Sequence, residues 1–333
     1  MKNLAIIGAG SWGTALAIIL APRFSRVRLW VYEEDLAVRM WRARENDLYL
    51  PGFHLPDNTE PTSDLAAALD GAEVVLTAVP SHLVRGVYQR MLPLVDESMV
   101  FVSATKGLEN VTLLRMSEII DEVLQVRFAP RVAVISGPTF AQEVAGLEPT
   151  ALVVASRDAG LAERLQTAFS GPTFRLYANT DTIGVEIGGA IKNVVAVGAG
   201  VLHGLALGHN AMAALITRGL AEMTRLAVAL GGQVRTLAGL AGLGDLVLTC
   251  TGDLSRNRAV GVELAHGRKL DEITGSMRTV AEGIKTTNAA VDLAQRFSVE
   301  MPISQQMFQV LHFGVSPREA IQRLMVRSLK QEE

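Results

Sequence analysis

The chain has 333 residues, of which 49% are hydrophobic and 20% are charged, and its formal net charge is −3. This composition is globular and excludes a disordered or low-complexity chain, while the length predicts two domains. The small net charge excludes a global field for nucleic acid, so an anionic ligand must be small and held by local cations. The single cysteine, Cys250, excludes an intramolecular disulfide framework, and the six histidines lack metal-ligand spacing. We therefore expect no nucleic-acid partner and no metal.

The first 24 residues could serve as a signal peptide, because Lys2 precedes an apolar stretch. A secretory apolar segment needs an unbroken helix, however, and Gly8, Gly10 and Gly13 interrupt this one. No later window offers about 18 uninterrupted apolar residues. We predict a cytoplasmic protein without a membrane span.

Short β-rich runs alternate with helical patterns up to residue 179, which is typical of a parallel sheet covered by helices. The predicted strands are Leu4–Ile7, Val27–Val31, Val74–Val79, Met99–Ser103, Val132–Ile135, Ala151–Ala155 and Thr173–Leu176. The predicted helices are Thr14–Leu20, Leu36–Arg44, Leu83–Met91, Leu113–Leu124 and Leu161–Phe169. The proline-rich stretch from Asn46 to Pro61 has no clear period and is interpreted as an exposed loop.

After residue 179 the β-branched runs stop, and segments rich in Ala, Leu, Gly and Val with helical spacing continue to the C-terminus. The predicted helices are Ile187–Leu202, Ala211–Leu230, Arg258–Ala265, Ile284–Phe297, Ile303–Leu311 and Pro317–Met325. We therefore predict an α/β fold in which a parallel-sheet domain, residues 1–179, is followed by an all-helical domain, residues 180–333.

A glycine-rich loop, Gly8-Ala9-Gly10-Ser11-Trp12-Gly13, follows the first predicted strand and opens the first predicted helix. This is the strand-to-helix context that the G-x-G-x-x-G motif of a Rossmann-type dinucleotide site requires. The first glycine permits the tight turn, the second lets the backbone approach the pyrophosphate, and the third lets helix and strand pack closely. The amides near Ser11 and Trp12 then become ligands of the pyrophosphate. The alternative is an ordinary strand-to-helix turn.

The end of the second predicted strand should lie at the adenosine ribose, where an acidic residue selects NAD and a basic one accommodates NADP. Tyr32-Glu33-Glu34-Asp35 occupies this place, and Glu33 lies twenty residues beyond Gly13. The charge favours NAD or the use of both cofactors. These carboxylates could equally cap the helix that follows.

Lys106 lies just past the predicted strand Met99–Ser103, at the carboxyl edge where open parallel sheets place their ligands. The segment from Ser136 to Ala141 follows another strand, so its backbone donors and the Thr139 hydroxyl should line the same edge. The alternatives are a solvated loop lysine and a simple turn.

Lys192 is the only formal charge between Ile187 and Leu202, and we expect it to be the general acid or base. Small residues would let this helix pack closely and desolvate the ammonium, which lowers its pKa. They are Gly188, Gly189, Ala196 and Gly200. The alternative is a lysine that snorkels to the surface. Asn193 could orient substrate or make an inter-domain hydrogen bond.

Asp245 follows glycines and precedes the apolar run Leu246–Leu248, so it could hold Lys192 by a charge-assisted hydrogen bond or simply cap a helix. Downstream, Ser255 is a plausible N-cap, and with Arg256 and Asn257 it offers free amides, a guanidinium and a carboxamide. This combination outlines a phosphate site, with a solvated helix start as the alternative. We interpret Cys250 as a buried small side chain, not a nucleophile.

The chain resembles the bacterial-type NAD(P)-dependent glycerol-3-phosphate dehydrogenases from Gly8 to about Gly314, and nine segments carry the resemblance. They are GAGSWGTALA at 8–17, VPSH at 79–82, ATKGLE at 104–109, VISGPTFA at 134–141, GAIKNVVAVGAG at 189–200, ITRGLAEM at 216–223, AGLGDLVLTCTG at 241–252, SRNR at 255–258 and EMPI at 300–303. The resemblance implies a Rossmann-type N-terminal domain, a helical C-terminal domain, and the reversible interconversion of dihydroxyacetone phosphate and glycerol 3-phosphate for phospholipid synthesis.

The resemblance also implies roles for individual residues, with Lys192 transferring the proton. The substrate would be bound by Lys106, Gly137, Thr139, Lys192, Asp245, Ser255, Arg256 and Asn257. The cofactor, NAD or NADP, would contact Gly8, Gly10, Ser11, Trp12, Gly13, Tyr32, Glu33, Lys106, Ala141, Arg256, Val280 and Glu282. We also expect a homodimer.

Two departures from the family pattern stand out: the segment near Tyr32 is acidic where many relatives have a basic residue, and Val280-Ala281 replaces two valines before Glu282. Two alternatives stay open. One is a dehydrogenase of the same architecture that acts on a hydroxyacyl compound or keto acid. The other is a non-catalytic regulator that binds a nicotinamide cofactor and has no need of Lys192 and Asp245.

Overall fold

A computed structural model describes residues 1–277, 281–329 and 331 of the chain. Within these residues the strands are β1 (Asn3–Ile7), β2 (Arg26–Trp30), β3 (Glu45–Asn46), β4 (Leu50–His54), β5 (Thr59–Thr62), β6 (Val74–Thr77), β7 (Val100–Ser103), β8 (Arg131–Ser136), β9 (Thr150–Ala155) and β10 (Phe174–Asn179). The main sheet has eight strands in the order β10-β9-β8-β7-β6-β1-β2-β5, and β3 pairs with β4 in a separate hairpin.

Each of the seven predicted strand segments overlaps a strand of the main sheet, and the predicted α/β fold class is confirmed. The carboxyl ends of four strands are level, because Ile7 pairs with Trp30 and Thr77, and Thr77 pairs with Ser103. The loops after β1, β2, β6 and β7 therefore meet at one edge of the sheet. Candidate site residues from distant parts of the sequence lie in these loops.

One strand pair departs from the predicted parallel arrangement, since β8 and β9 are antiparallel. Their connection contains a single five-residue helix, Ala141–Ala145. A helix of that length spans about 7.5 Å, which is too short to carry the chain back along a strand. The chain therefore reverses its direction, and β10 then pairs parallel to β9.

The prediction of an exposed loop from Asn46 to Pro61 is wrong. This stretch contains most of the β3–β4 hairpin and the first part of β5, and Asn46, Leu50 and Leu55 are buried. Pro61 lies within β5, which forms the edge of the main sheet, and an edge strand tolerates a residue without an amide hydrogen. The prolines therefore obscured a short sheet edge and a hairpin.

Helices cover the sheet and then form the rest of the described chain. The first group comprises α1 (Ser11–Leu20), α2 (Glu34–Ala43), α3 (Leu65–Leu69), α4 (Val84–Met91), α5 (Met116–Leu124), α6 (Ala141–Ala145) and α7 (Ala159–Phe169). The second group comprises α8 (Thr182–Gly204), α9 (His209–Ala229), α10 (Val234–Leu237), α11 (Asp245–Thr251), α12 (Arg256–Ala265), α13 (Leu270–Ser276), α14 (Glu282–Arg296), α15 (Pro302–Phe313) and α16 (Pro317–Met325). The helices that the sequence missed have only four to seven residues, too few to show a helical period.

Helix α8 lies at the centre of the helical region and is buried along most of its length. Its glycines permit close packing, as predicted: a Cβ at Gly188 would lie 2.4 Å from the Ala241 carbonyl oxygen, and one at Gly200 would lie 1.9 Å from that of Arg258. Among the described residues, α8 is the helix long and apolar enough to cross a membrane, but its most apolar window is wholly buried inside the protein. Such burial is typical of a core helix.

Candidate active site

The glycine-rich loop between β1 and α1 has the predicted tight geometry. Gly8 has a φ of +113°, and a Cβ there would lie 2.7 Å from the Ala78 carbonyl oxygen. A Cβ at Gly13 would lie 1.8 Å from the carbonyl oxygen of Gly8, whereas one at Gly10 would meet nothing within 4 Å. Gly8 and Gly13 are therefore required by the fold, while Gly10 leaves open space above the loop.

This open space is lined by hydrogen-bond donors. Ser11, Trp12 and Gly13 form the first turn of α1, so their amides have no acceptor within the helix. The Trp12 Nε1 is buried and has no hydrogen-bond partner in the described residues. Such donors at a helix N-terminus suit an anion. The loop therefore fits the pyrophosphate of a dinucleotide.

The β3–β4 hairpin connects this loop to the residues after β2. The Asn46 side-chain amide donates to the carbonyl oxygen of Ala9 at 2.8 Å, and the Ser11 hydroxyl donates to that of Tyr49 at 2.6 Å. The Tyr49 hydroxyl donates to Glu33 Oε1 at 2.7 Å. Glu33 is the N-cap residue of α2, but its side chain makes no capping hydrogen bond. Tyr32 is exposed beside it.

Lys192, Asp245 and Lys106 form a cluster between α8, α11 and the loop after β7. The Asp245 Oδ1 accepts a hydrogen bond from Lys192, and its Oδ2 accepts one from Lys106 at 2.8 Å. The predicted contact between Lys192 and Asp245 is therefore present. Lys192 is 6% exposed and Asp245 is 0% exposed, so Lys192 does not snorkel to the surface.

Lys106 is fixed by the loop after β8 as well as by Asp245. Its Nζ donates to the Gly137 carbonyl oxygen at 2.7 Å and to Thr139 Oγ1 at 3.0 Å. Gly137 has a φ of +147°, and a Cβ there would lie 2.8 Å from that of Leu152. The structure thus brings Lys106, Gly137, Thr139, Lys192 and Asp245 together, although they lie in four separate segments of the sequence.

The electrostatics of the cluster favour proton transfer at Lys192. Burial lowers the pKa of Lys192 to about 8; Asp245 opposes this shift and Lys106 adds to it. Cys250 lies nearby and is buried, and burial raises the pKa of its thiol to about 12. The interpretation of Cys250 as a buried side chain is confirmed by its burial, and a thiol with so high a pKa would be a poor nucleophile.

Thr249 belongs to this cluster and was missed in the sequence. Its hydroxyl accepts a hydrogen bond from Lys192 at 2.8 Å and donates to the backbone oxygen of Asp245 at 2.6 Å. Asp245 and Thr249 lie four residues apart in α11, which places them on one helix face. That spacing was visible, but α11 was not predicted as a helix, so the pair was not recognised.

The segment from Ser255 to Asn257 begins α12 beside this cluster. Ser255 is the N-cap residue, as predicted, and its hydroxyl accepts from the amide of Arg258. The Asn257 side chain donates to Asn193 Oδ1 at 2.9 Å and accepts from the Gly283 amide at 2.9 Å. Arg256 is exposed and makes no hydrogen bond or ion pair within residues 1–277, 281–329 and 331. Its guanidinium is thus available to an anion.

Glu282 joins the beginning of α14 to the sheet edge. Its carboxylate accepts from the Ser81 amide at 3.1 Å and from the Ser81 hydroxyl at 2.7 Å. A Cβ at Gly107 would lie 2.6 Å from that of Ser81, so the loop that carries Lys106 packs against this contact. Ser81 had no predicted role, although its position after β6 could have indicated one.

Ala141 and Val280 are the remaining predicted cofactor residues. Ala141 begins α6, where it packs against the core beneath the sheet edge. Val280 lies outside the described residues. Within the described part of the chain no group of three or more His, Cys, Asp or Glu side chains could hold a metal ion.

Comparisons with known proteins cover nearly the whole chain. The family model described as the NAD-dependent glycerol-3-phosphate dehydrogenase N-terminus matches residues 3–162, and the model of the C-terminus matches residues 181–322. A glycerol-3-phosphate dehydrogenase (NAD(P)+) from Koribacter versatilis is 57% identical over 329 residues, 98% of each chain. One from Citrifermentans bemidjiense is 53% identical over 331 residues, 99% of each chain.

A solved structure agrees with these sequence matches. The crystal structure of glycerol-3-phosphate dehydrogenase from Coxiella burnetii is 43% identical and has a TM-score of 0.94, covering 98% of this chain and 99% of that one. Sequence and fold therefore agree over both the sheet and the helical region. The chain belongs to the NAD-dependent glycerol-3-phosphate dehydrogenase family.

Proposed function

We propose that the chain catalyses the reversible NAD(P)-dependent interconversion of dihydroxyacetone phosphate and sn-glycerol 3-phosphate. The observation that carries this proposal is a buried lysine, Lys192, which shares the Asp245 carboxylate with Lys106 close to the dinucleotide loop. The relatives that match the full length of the chain support the same activity. In the cell this activity supplies glycerol 3-phosphate for phospholipid synthesis.

The residues of the sheet edge would hold the dinucleotide. Gly8, Gly10, Ser11, Trp12 and Gly13 would surround the pyrophosphate, and Tyr32 and Glu33 would lie at the adenosine ribose. The remaining proposed contacts, toward the nicotinamide, are Lys106, Ala141, Val280, Arg256 and Glu282. When bound, the cofactor supplies the hydride in one direction and accepts it in the other.

Lys192 would exchange a proton with the reacting oxygen of the substrate. With a pKa near 8 it is mostly an ammonium at neutral pH and still has an accessible neutral form, so it can act in both directions. Asp245 fixes the position of the ammonium through a charge-assisted hydrogen bond. Lys106 adds a second positive charge, which stabilises negative charge developing on that oxygen.

The phosphate of the substrate would bind at the start of α12. Arg256 offers a guanidinium without a protein partner in the described residues, and such a group binds phosphate through two parallel hydrogen bonds. Asn257 is held in place by Asn193 and Gly283, and Ser255 fixes the first turn of the helix. Gly137 and Thr139, which both accept hydrogen bonds from Lys106, would also contact the substrate.

We also propose residues 1–179 and 180–333 as the two domains, a homodimer as the assembly, and the cytoplasm as the location. The end of β10 at Asn179 and the start of α8 at Thr182 support the boundary. Exposed apolar side chains, among them Phe313 and Met325, support association. The unpaired Cys250 fits a reducing compartment.

The test is the initial rate of dihydroxyacetone phosphate reduction, with NADH and NADPH in parallel. We expect turnover with the phosphorylated triose and much slower turnover with dihydroxyacetone or a keto acid, because these lack the group that Arg256 would bind. Tight binding of a dinucleotide without turnover of the phosphorylated triose would contradict the proposal and favour a regulator. Faster turnover of a keto acid would favour a different dehydrogenase.

A further inference from the structure

Tyr49 is fixed at both ends, between the glycine-rich loop and the end of β2. Its backbone oxygen accepts from Ser11, its amide donates to Asn46 Oδ1 at 3.0 Å, and Asn46 in turn is bonded to Ala9 and Thr14. At the other end its hydroxyl donates to Glu33 at 2.7 Å. Tyr49 therefore connects the predicted pyrophosphate loop directly to the predicted ribose position.

This contact orients the Glu33 carboxylate. Oε1 accepts from Tyr49, whereas Oε2 has no hydrogen bond to any residue that the structure describes. The bond to Glu33 raises the pKa of the Tyr49 hydroxyl to about 12, so the hydroxyl keeps its proton and remains a donor. Glu33 thus presents one free oxygen acceptor in a fixed position, which suits a ribose hydroxyl.

The cations of α2 are poorly placed to offset this negative charge. Arg39 is bonded to Asp35 at 2.6 Å and to Asp47 at 3.1 Å, and the exposed Glu34 adds a further carboxylate. Arg42 has no partner within the described residues, but it lies nine residues beyond Glu33, about 13 Å along the helix. The surroundings of Glu33 are therefore net negative.

We propose that Glu33 and Tyr49 together make the chain select NAD over NADP. A carboxylate can accept a hydrogen bond from the 2′-hydroxyl of NAD, whereas the 2′-phosphate of NADP would place like charges side by side. Glu33 is the specificity-determining residue, and Tyr49 is a positioning residue that keeps the carboxylate from turning away. The inference rests on the proposed function only in taking a nicotinamide dinucleotide as the ligand.

The test measures the Kd of NADH and of NADPH by quenching of tryptophan fluorescence, in the absence of any triose. We expect the wild-type chain to bind NADH at least about tenfold more tightly than NADPH. Glu33→Gln keeps an acceptor for Tyr49 but removes the charge, so it should tighten NADPH binding by about tenfold and change NADH binding much less. The wild-type preference should also shrink as salt rises, because salt screens repulsion between partly exposed charges.

Two further variants test whether the preference for NADH depends on the contact between Glu33 and Tyr49 or only on the overall negative charge of this region. Tyr49→Phe removes only the donor, and it should narrow the preference for NADH by about threefold, as expected for one lost hydrogen bond. Glu34→Gln is the matched control, since it removes the same charge from the adjacent exposed side chain, whereas the Tyr49 hydroxyl is bonded to Glu33. We expect its two Kd values to stay within about twofold of the wild type.

Equal wild-type affinity for the two dinucleotides would overturn the inference. So would an effect of Glu34→Gln as large as that of Glu33→Gln, and an unchanged preference in Tyr49→Phe would overturn the role of Tyr49. The ratio of Kd values is independent of turnover. A preference for NADH without reduction of dihydroxyacetone phosphate would therefore contradict only the proposed reaction, and normal reduction without a preference would contradict only this inference.

Discussion

Helix α8 carries two buried charges that lie six residues apart in different surroundings. Glu186 accepts hydrogen bonds from the Ser117 amide at 2.8 Å, the Ser117 hydroxyl at 2.6 Å and the Arg115 guanidinium at 2.5 Å. Arg115 is also paired with Glu118 at 2.8 Å, and the side chain of Glu118 is 35% exposed. Lys192 likewise shares a single carboxylate, that of Asp245, with a second lysine, Lys106, whose side chain is only 15% exposed. Glu186 therefore has three hydrogen bonds and shares its cation with a partly solvated carboxylate, whereas Lys192 shares its carboxylate with a cation that is mostly buried.

The difference indicates what each charge does. Glu186 attaches α8 to the first turn of α5, where Arg115 is the N-cap residue and also pairs through its backbone with Leu108, two residues beyond Lys106. This contact fixes the helix that bears one lysine to the loop that bears the other. At Lys192 burial lowers the pKa to about 8, Asp245 opposes this shift, and Lys106 adds to it. We therefore propose that Glu186 serves attachment, whereas Lys192, with its lowered pKa, serves proton transfer.

The largest expected effect is on turnover in Lys192→Ala. Without the proton donor, kcat should fall by roughly 10² to 10⁴, the usual contribution of one general acid or base. The Kd of NADH should stay near the wild-type value, because Lys192 lies outside the pyrophosphate loop. Initial rates and dinucleotide titration measure the two quantities. Near-wild-type turnover would show that Lys192 is not the proton donor.

For Glu186→Ala we expect the opposite pattern. Removing the carboxylate leaves the buried Arg115 with only the partly exposed Glu118 as its ion-pair partner, which should lower the free energy of unfolding by about 3 kcal/mol, the lower end for a broken buried pair. The kcat per folded molecule should change by less than about tenfold, since Glu186 does not reach the lysine cluster. Denaturant unfolding together with rates below the transition measures both effects.

The controls for Glu186 test whether its ion pair with Arg115 accounts for the loss of stability. Glu186→Gln keeps an acceptor for Ser117 and should cost less stability than alanine. Replacing both partners, as in Arg115→Met with Glu186→Leu, should recover much of the loss, because no buried charge is then left unpaired. If Glu186→Ala kept wild-type stability but lost turnover to the same extent as Lys192→Ala, Glu186 would have a catalytic role and not the proposed role in attaching α8.

The two buried charges also differ in how well the sequence predicts them. The burial of Lys192 was predictable because its cause, the small residues Gly188, Gly189 and Gly200, lies in the same helix. Glu186 was not singled out, since the predicted helix began one residue later and its partner Arg115 lies 71 residues away. Local periodicity carries no information about such a partner.

Distance along the sequence also explains which other features were predicted and which were missed. The glycine loop and the strand ends were predictable, because each depends on neighbours in sequence. The contacts of Tyr49 depend on a hairpin that prolines obscured, and those of Ser81 depend on a residue 201 positions away. The roles of the individual site residues stay predictions.

Arg256 is a third kind of charge, exposed and without a protein partner in the described residues. Arg256→Ala should raise the KM for dihydroxyacetone phosphate by a factor that corresponds to about 1.5–3 kcal/mol, as for a lost charged hydrogen bond. Arg258→Ala is the matched control, because the Arg258 guanidinium is already bonded to Asp253 at 2.9 Å. The KM of this variant for dihydroxyacetone phosphate should stay close to the wild-type value. If Arg256→Ala impaired only a non-phosphorylated analogue, the phosphate site would be misplaced.

The smallest expected effect is a shift in pH dependence, and it tests the effect of Lys106 on the pKa of Lys192. Reduction needs protonated Lys192, so its rate should fall as the pH rises through about 8, while oxidation needs the neutral amine and should rise over the same range. Lys106 lowers the pKa of Lys192, so Lys106→Met should move both limbs to higher pH, by up to about one unit. Glu186→Gln, which removes the other buried charge of α8, should leave the limbs in place. Limbs that moved to lower pH in Lys106→Met, or moved equally in both variants, would show that the neighbouring cation does not set the proton affinity of Lys192.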